Sequence, residues 1–177
     1  DLIQGVGGLD EASTEFYQMT AELCKNYNTV LIADEVQSGY GRTGDFFAFQ
    51  KHRIRPDIIS TAKGMGNGFP IGGILIDKNI KAKSGMLGTT FGGNHLACAA
   101  GISVLETIQK ENLLKNASEL FEYVREEASE IPQIKKIKGR GLMIGLEFDF
   151  EIAQLRKDLL FRHQIFTGAA ANKNLLR

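Results

Sequence analysis

Thr29-Val30-Leu31-Ile32-Ala33-Asp34 is a continuous apolar run that closes on an acid. Runs of this kind, without polar alternation, are typical of strands covered on both faces in a parallel sheet. Downstream, Pro56-Asp57-Ile58-Ile59-Ser60 is a second short run and Ile71 to Ile76 a third. Glycine-rich loops follow or separate all three. Upstream, Asp10 to Tyr27 has helical periodicity, with Phe16, Met19, Leu23 and Cys24 on one face. Further on, His95 to Gln109 and Asn112 to Ile131 read as helices, the second ended by Pro132. Ile134 to Phe150 alternates like strands about a Gly139-Arg140-Gly141 turn. Ile152 to His163 reads as helix, and Gln164 to Thr167 and Leu175 to Arg177 as short strands. Strands with helices first, then a smaller mixed unit, predict an α/β part followed by an α+β part.

Composition narrows the function classes. The chain has 177 residues, with 21 Lys+Arg against 21 Asp+Glu. A balanced charge gives no footprint for nucleic acid or an anionic membrane surface. The longest nearly uncharged stretch, Ser84 to Leu105, is broken by glycines, Asn94 and His95, and reads as loop then helix rather than a membrane span. Two cysteines, Cys24 and Cys98, make no disulfide framework and lack metal-ligand spacing. A reducing, cytoplasmic setting without a secretory leader is expected. Twenty glycines against three prolines, many beside polar residues, suggest backbone brought close to a ligand.

Three pieces carry candidate chemistry. Asp34 stands at the carboxyl end of the first strand, where ligand crevices form in open α/β sheets. An acid there suits a cationic ligand group or a metal; the plainer alternative is a loop cap or a pair with Arg42. Lys63 follows the second strand among Ala62, Gly64, Gly66 and Gly68. A lysine at a sheet mouth among small residues is expected to be desolvated and so fit for nucleophilic use; the alternative is an exposed loop lysine. Gly88-Thr-Thr-Phe-Gly-Gly-Asn94 precedes a helix, and hydroxyls, glycine amides and a helix N-terminus together favour an anion. The alternative is a simple cap by Asn94.

Two other motifs read poorly. Val30 to Glu35 resembles the acidic strand of nucleotide triphosphatases, but no Gly-x4-Gly-Lys-Ser/Thr loop accompanies it. Gly39-Tyr40-Gly41-Arg42-Thr43-Gly44 matches the dinucleotide fingerprint literally, yet Asp34 and Glu35 precede it and no amphipathic helix follows. A tight turn is expected there.

Together, the acid, the lysine and the anion loop suit pyridoxal 5'-phosphate. The acid keeps the pyridine nitrogen protonated, the lysine holds the cofactor covalently, and the loop takes the phosphate.

At these residues the chain resembles the class III aminotransferases, which have the fold-type I architecture of pyridoxal-phosphate enzymes. Leu31-Ile-Ala-Asp-Glu-Val-Gln-Ser-Gly-Tyr-Gly-Arg-Thr-Gly44, Pro56-Asp-Ile-Ile-Ser-Thr-Ala-Lys-Gly64 through Gly68-Phe-Pro-Ile71, and Gly88 to Asn94 carry the resemblance. It implies a mainly parallel large-domain sheet over residues 1–110 and a small α+β C-terminal domain over 111–177. It also implies that an N-terminal half of the family's length lies outside this sequence.

The resemblance assigns roles as well. Lys63 would hold the cofactor and move the proton. Asp34 would pair with the pyridinium, Val36 would pack on one ring face, and Gln37 would bond the phenolic oxygen. Thr90 would reach the phosphate across a homodimer interface. Arg177 would grip the substrate α-carboxylate. Among family members the likeness is closest to those that move the side-chain amino group of N-acetylornithine or N-succinylornithine to 2-oxoglutarate, in arginine biosynthesis. Ornithine, 4-aminobutyrate and similar ω-amines are the alternatives, as is an inactive fragment of such an enzyme. One position departs from the family: Gln4-Gly5-Val6-Gly7 stands where Gln-Gly-Glu-Gly is common. Val6 has no carboxylate to pair with the substrate-binding arginine.

Overall fold

The computed structural model describes residues 1–177 throughout. Helix α1 spans Thr14–Asn26, and the Ser13 hydroxyl caps it by accepting the Phe16 N–H. The helix begins later than its periodicity predicts, because Glu11 is held in an antiparallel bridge with Ile3. A first sheet has the order β1 (Ile32–Asp34), β2 (Ile58–Thr61), β3 (Gly73–Ile76). Strands β1 and β2 are parallel, with Asp34 opposite Ser60; β2 and β3 are antiparallel, with Thr61 opposite Gly73.

This sheet corrects two expectations. It is mixed, not mainly parallel. The run from Thr29 becomes strand only at Ile32, since Leu31 donates its N–H to the Asp57 carboxylate at 2.8 Å and its carbonyl is taken by Asp57 and Ile58. Burial on both faces is also absent: Ala33 is buried but Ile32 is 59% exposed on an edge strand.

Between β1 and β2 the chain turns through Gly39–Gly44 and a short 3-10 turn, Ala48–His52. Gly41 N–H bonds Phe46 O and Gly44 N–H bonds Gly41 O, so this stretch is a tight loop and no α-helix opens from it. Glu35 pins the loop. Its buried carboxylate accepts the Ser38 hydroxyl (2.6 Å) and the N–H groups of Ala48 and Phe49 (3.0 Å each). A buried carboxylate with three donors is satisfied and structural.

Helices α2 (His95–Lys110) and α3 (Leu113–Ser129) come next. A second, antiparallel sheet comprises β4 (Ile134–Arg140), β5 (Met143–Phe148) and β6 (Leu175–Leu176), with helix α4 (Ala153–His163) between β5 and β6. The stretch Gln164–Thr167 is not the strand expected. Gln164 takes a left-handed conformation and gives its N–H to Leu160 to close α4.

The core consists of small separate clusters: Leu2, Ala33 and Ala48; Ile3, Leu9 and Met143; and Phe148, Ile152 and Leu176. The second of these ties the N-terminal segment to β5. The apolar face expected on α1 exists but is bare, with Phe16, Met19 and Leu23 more than half exposed. Ile74, Leu75 and Ile76 of β3 are exposed too. No helix is long and apolar enough to cross a membrane.

Candidate active site

Parallel pairing of β1 and β2 brings their carboxyl ends to one edge of the first sheet. Asp34 ends β1. It is partly buried, and its Oδ1 accepts the Val36 N–H at 3.0 Å, which turns the chain sharply and leaves Oδ2 for a ligand. Lys63 lies just beyond β2, at the start of a short 3-10 turn, with φ of 44°. A lysine rarely adopts this left-handed conformation, and such local strain concentrates at functional sites. Its side chain is exposed, contrary to the expectation of a desolvated amine. The small neighbours Ala62 and Gly64 lack the volume to cover it.

Lys63 nevertheless faces a cavity of about 360 Å³ shared with Gln37 and Arg177. Leu142, Met143 and Ile144 form the wall contributed by the β4–β5 hairpin. Gly5 packs directly on the Gln37 amide: a Cβ there would overlap it, so any larger residue would displace Gln37. Arg177 follows β6. Its main chain exchanges both hydrogen bonds with Gly168 (2.6 and 3.1 Å), and its Nε donates to Ala169 O at 2.8 Å. The terminal guanidinium nitrogens stay free for a planar anion, the geometry that arginine offers a carboxylate. Val6 is 56% exposed; its carbonyl accepts the Ala171 N–H at 2.9 Å, which fastens the Gln4–Gly8 turn beside the segment that pairs with Arg177.

The structure therefore brings Lys63, Gln37 and Arg177 to one cavity. Asp34 and Val36 are near in sequence to Gln37 but do not line it. Thr90 is exposed on a separate segment, where the Thr89 hydroxyl accepts the Gly92 N–H at 3.1 Å. Asn94 caps α2 by accepting the Ala97 N–H, as the plainer reading of that loop expects. Two lining residues escaped the sequence reading as site groups. Tyr40 carries a phenol whose pKa burial pushes up, against a bond to the Thr61 hydroxyl. Arg42 adds a second guanidinium to the cavity. Both lie in the stretch read as a tight turn, where Arg42 was weighed only as a partner for Asp34, and the available signal was its density of glycine.

Residues 1–170 match the family "Aminotransferase class-III". The chain belongs to the class III aminotransferases. It is 44% identical over 167 residues to the acetylornithine aminotransferase of Aquifex aeolicus, which covers 90% of this chain and 44% of that protein. It is 41% identical to the acetylornithine aminotransferase of Vibrio cholerae, covering 89% and 41%. Among solved structures, an ornithine aminotransferase from Toxoplasma gondii superposes with a TM-score of 0.89 at 29% identity, over 99% of this chain and 44% of that one. The acetylornithine aminotransferase of Elizabethkingia anophelis gives 0.87 at 32% identity, covering 99% and 46%. The chain thus spans less than half the length of these class III relatives.

Proposed function

We propose that the protein is an aminotransferase that moves the side-chain amino group of N-acetylornithine, or N-succinylornithine, to 2-oxoglutarate. The observation that carries this reading is the shared cavity of Lys63, Gln37 and Arg177, an amine and a carboxylate-binding cation facing one space. Relatives named for acetylornithine at above 40% identity support the acylated substrate and its setting in arginine biosynthesis.

Pyridoxal 5'-phosphate suits the donor set. Asp34 offers an acceptor-only carboxylate at the strand end, Lys63 a primary amine at the neighbouring strand end, and Gln37 an amide seated by Gly5. When bound, this cofactor supplies the electron sink that makes a substrate C–H acidic. Lys63 would hold it and carry the proton between substrate carbon and cofactor. Asp34 would face the ring nitrogen and Val36 one ring face. Gln37 would donate to the ring oxygen, and Arg177 would orient the substrate by its α-carboxylate. Thr90, on an exposed segment away from the cavity, supports a phosphate contact given to the partner of a homodimer. Two separate three-stranded sheets support a division into residues 1–110 and 111–177. The free thiols of Cys24 and Cys98 support a cytoplasmic location.

Structural likeness to ornithine aminotransferases favours ornithine as the alternative donor. The test is borohydride reduction with pyridoxal phosphate and peptide mapping of the full-length protein, beside Lys63→Ala, followed by assays on N-acetylornithine, N-succinylornithine, ornithine and 4-aminobutyrate. A single adduct on Lys63 and preference for an acylated donor are expected. Labelling scattered over many lysines, unchanged in Lys63→Ala, would defeat the reading. A clean adduct with ornithine or 4-aminobutyrate preferred would move the substrate alone.

A further inference from the structure

We infer that Arg140 is a positioning residue for the proposed reaction, fixing the wall of the cavity and the strand that leads to Arg177 relative to Lys63. This rests on the aminotransferase reading above. Arg140 ends β4, and its side chain is only 13% exposed. Nη1 pairs with the Asp45 carboxylate, in the loop between β1 and β2. Nη2 donates to Glu11 Oε1 and to Ala48 O, both at 3.1 Å. Two segments of the first part of the chain, the stretch before α1 and the β1–β2 connection, are thus gathered on one guanidinium of the second sheet. Glu11 is held in turn by buried His52 (3.0 Å), whose other ring nitrogen meets the Thr14 hydroxyl at 3.0 Å.

The residues directly after Arg140 connect this joint to the site. Gly141 lies so close to the Arg42–Thr43 backbone that a Cβ would stand 2.5 Å from it. Leu142 N–H then bonds Arg42 O at 2.7 Å. Leu142, Met143 and Ile144 form the cavity wall. Strand β5 continues from them and pairs with β6, Leu146 with Leu176, immediately before Arg177. Lys63 follows β2 of the first sheet, and Arg177 follows β6 of the second. Arg140 sits where the two are joined, in a partly buried network that resists sliding because any shift would leave charges unpaired. The spacing between the amine and the carboxylate-binding cation would then depend on a residue that touches neither.

The test uses the full-length holoenzyme with Arg140→Met and, as a milder variant, Asp45→Asn. Aminooxyacetate and methoxyamine attack the lysine-held cofactor alike, but only the first carries a carboxylate. Rates are followed by absorbance. Aminooxyacetate is expected to slow roughly tenfold relative to methoxyamine in Arg140→Met, the size of a coupling within one network, and by less in Asp45→Asn. Amide hydrogen exchange should quicken at Leu142 and Arg177 while helix α3 is unchanged. Equal slowing of both reagents, or unchanged exchange at those amides, would overturn the inference. Should the wild type fix no cofactor on Lys63, the aminotransferase reading fails by itself, and the exchange data still decide whether Arg140 sets the joint. If Arg140→Met fails to fold, Asp45→Asn decides by the same criteria.

Discussion

Lys138 Nζ lies 3.0 Å from the carboxylate of Asp10, so that β4 is tied by an ion pair to the segment leading into α1. The bond to Asp10 holds the lysine pKa above its ordinary 10.5; burial opposes this, and Glu147 adds to it. A folded-state pKa raised in this way stabilises the fold fully below the unfolded value and ceases to do so as pH climbs through the folded value. Lys138→Met should therefore melt below the wild type at pH 8–10, and the gap should close above pH 10.5. Thermal melts of both full-length proteins across that range check this; a gap that widens would contradict it.

Glu35 offers a sharper test of a single buried group. In Glu35→Gln one acceptor oxygen becomes an NH2 group facing donors: either the Phe49 N–H, or the Ser38 hydroxyl and Ala48 N–H. A loss of about 1–3 kcal/mol is expected, the usual result of stranding a buried polar group. Glu35→Ala should do more damage, since the buried Ala48 amide and the part-buried Phe49 amide both lose their partner. Urea titration of each variant measures it, and a Gln variant as stable as wild type would show that the carboxylate is not what pins the loop.

Arg177→Gln removes the charge and the terminal guanidinium nitrogens while leaving a shorter, polar side chain. Binding of a carboxylate substrate should weaken roughly a hundredfold, in line with truncation of one member of a buried charge pair. The borohydride adduct on Lys63 should form as before, because Arg177 bonds Gly168 and Ala169 on the facing segment and not the lysine. A KM unchanged within about twofold would remove Arg177 from the site.

The bare face of α1 predicts behaviour in solution. Contiguous exposed apolar residues drive association, and Phe16, Met19 and Leu23 stand in line on one helix face. The 177-residue polypeptide by itself should elute from gel filtration as aggregate or as a rearranged dimer. Phe16→Ser with Met19→Lys and Leu23→Lys should shift it toward monomer. A clean monomer before substitution would refute the expectation.

Much of this was legible from residues. The run ending at Asp34, the run before Lys63 and the helix after Asn94 are local patterns, and each element formed close to where it was read. What failed depended on neighbours. Ile32 looks like an interior residue, but whether a strand is covered depends on what packs against it, which no run of apolar letters records. The helix expected from Asp10 lost its first turn to a bridge with Ile3, a partner set by tertiary structure. Lys63 looked desolvated because its neighbours are small, yet small neighbours expose as readily as they enclose. Arg140 gave no local sign at all: its three partners, Glu11, Asp45 and Ala48, are far from it in sequence, and only the fold brings them together.

The double hydrogen bond between Arg177 and Gly168 has one more consequence. With its main chain locked in a strand pair and its Nε held by Ala169 O, this side chain has already surrendered most of its rotational freedom. An arginine on a loose loop would lose up to about 2 kcal/mol of rotamer entropy on gripping an anion. Here that ordering is completed during folding, so an anion held by this guanidinium, as proposed, would cost little further ordering.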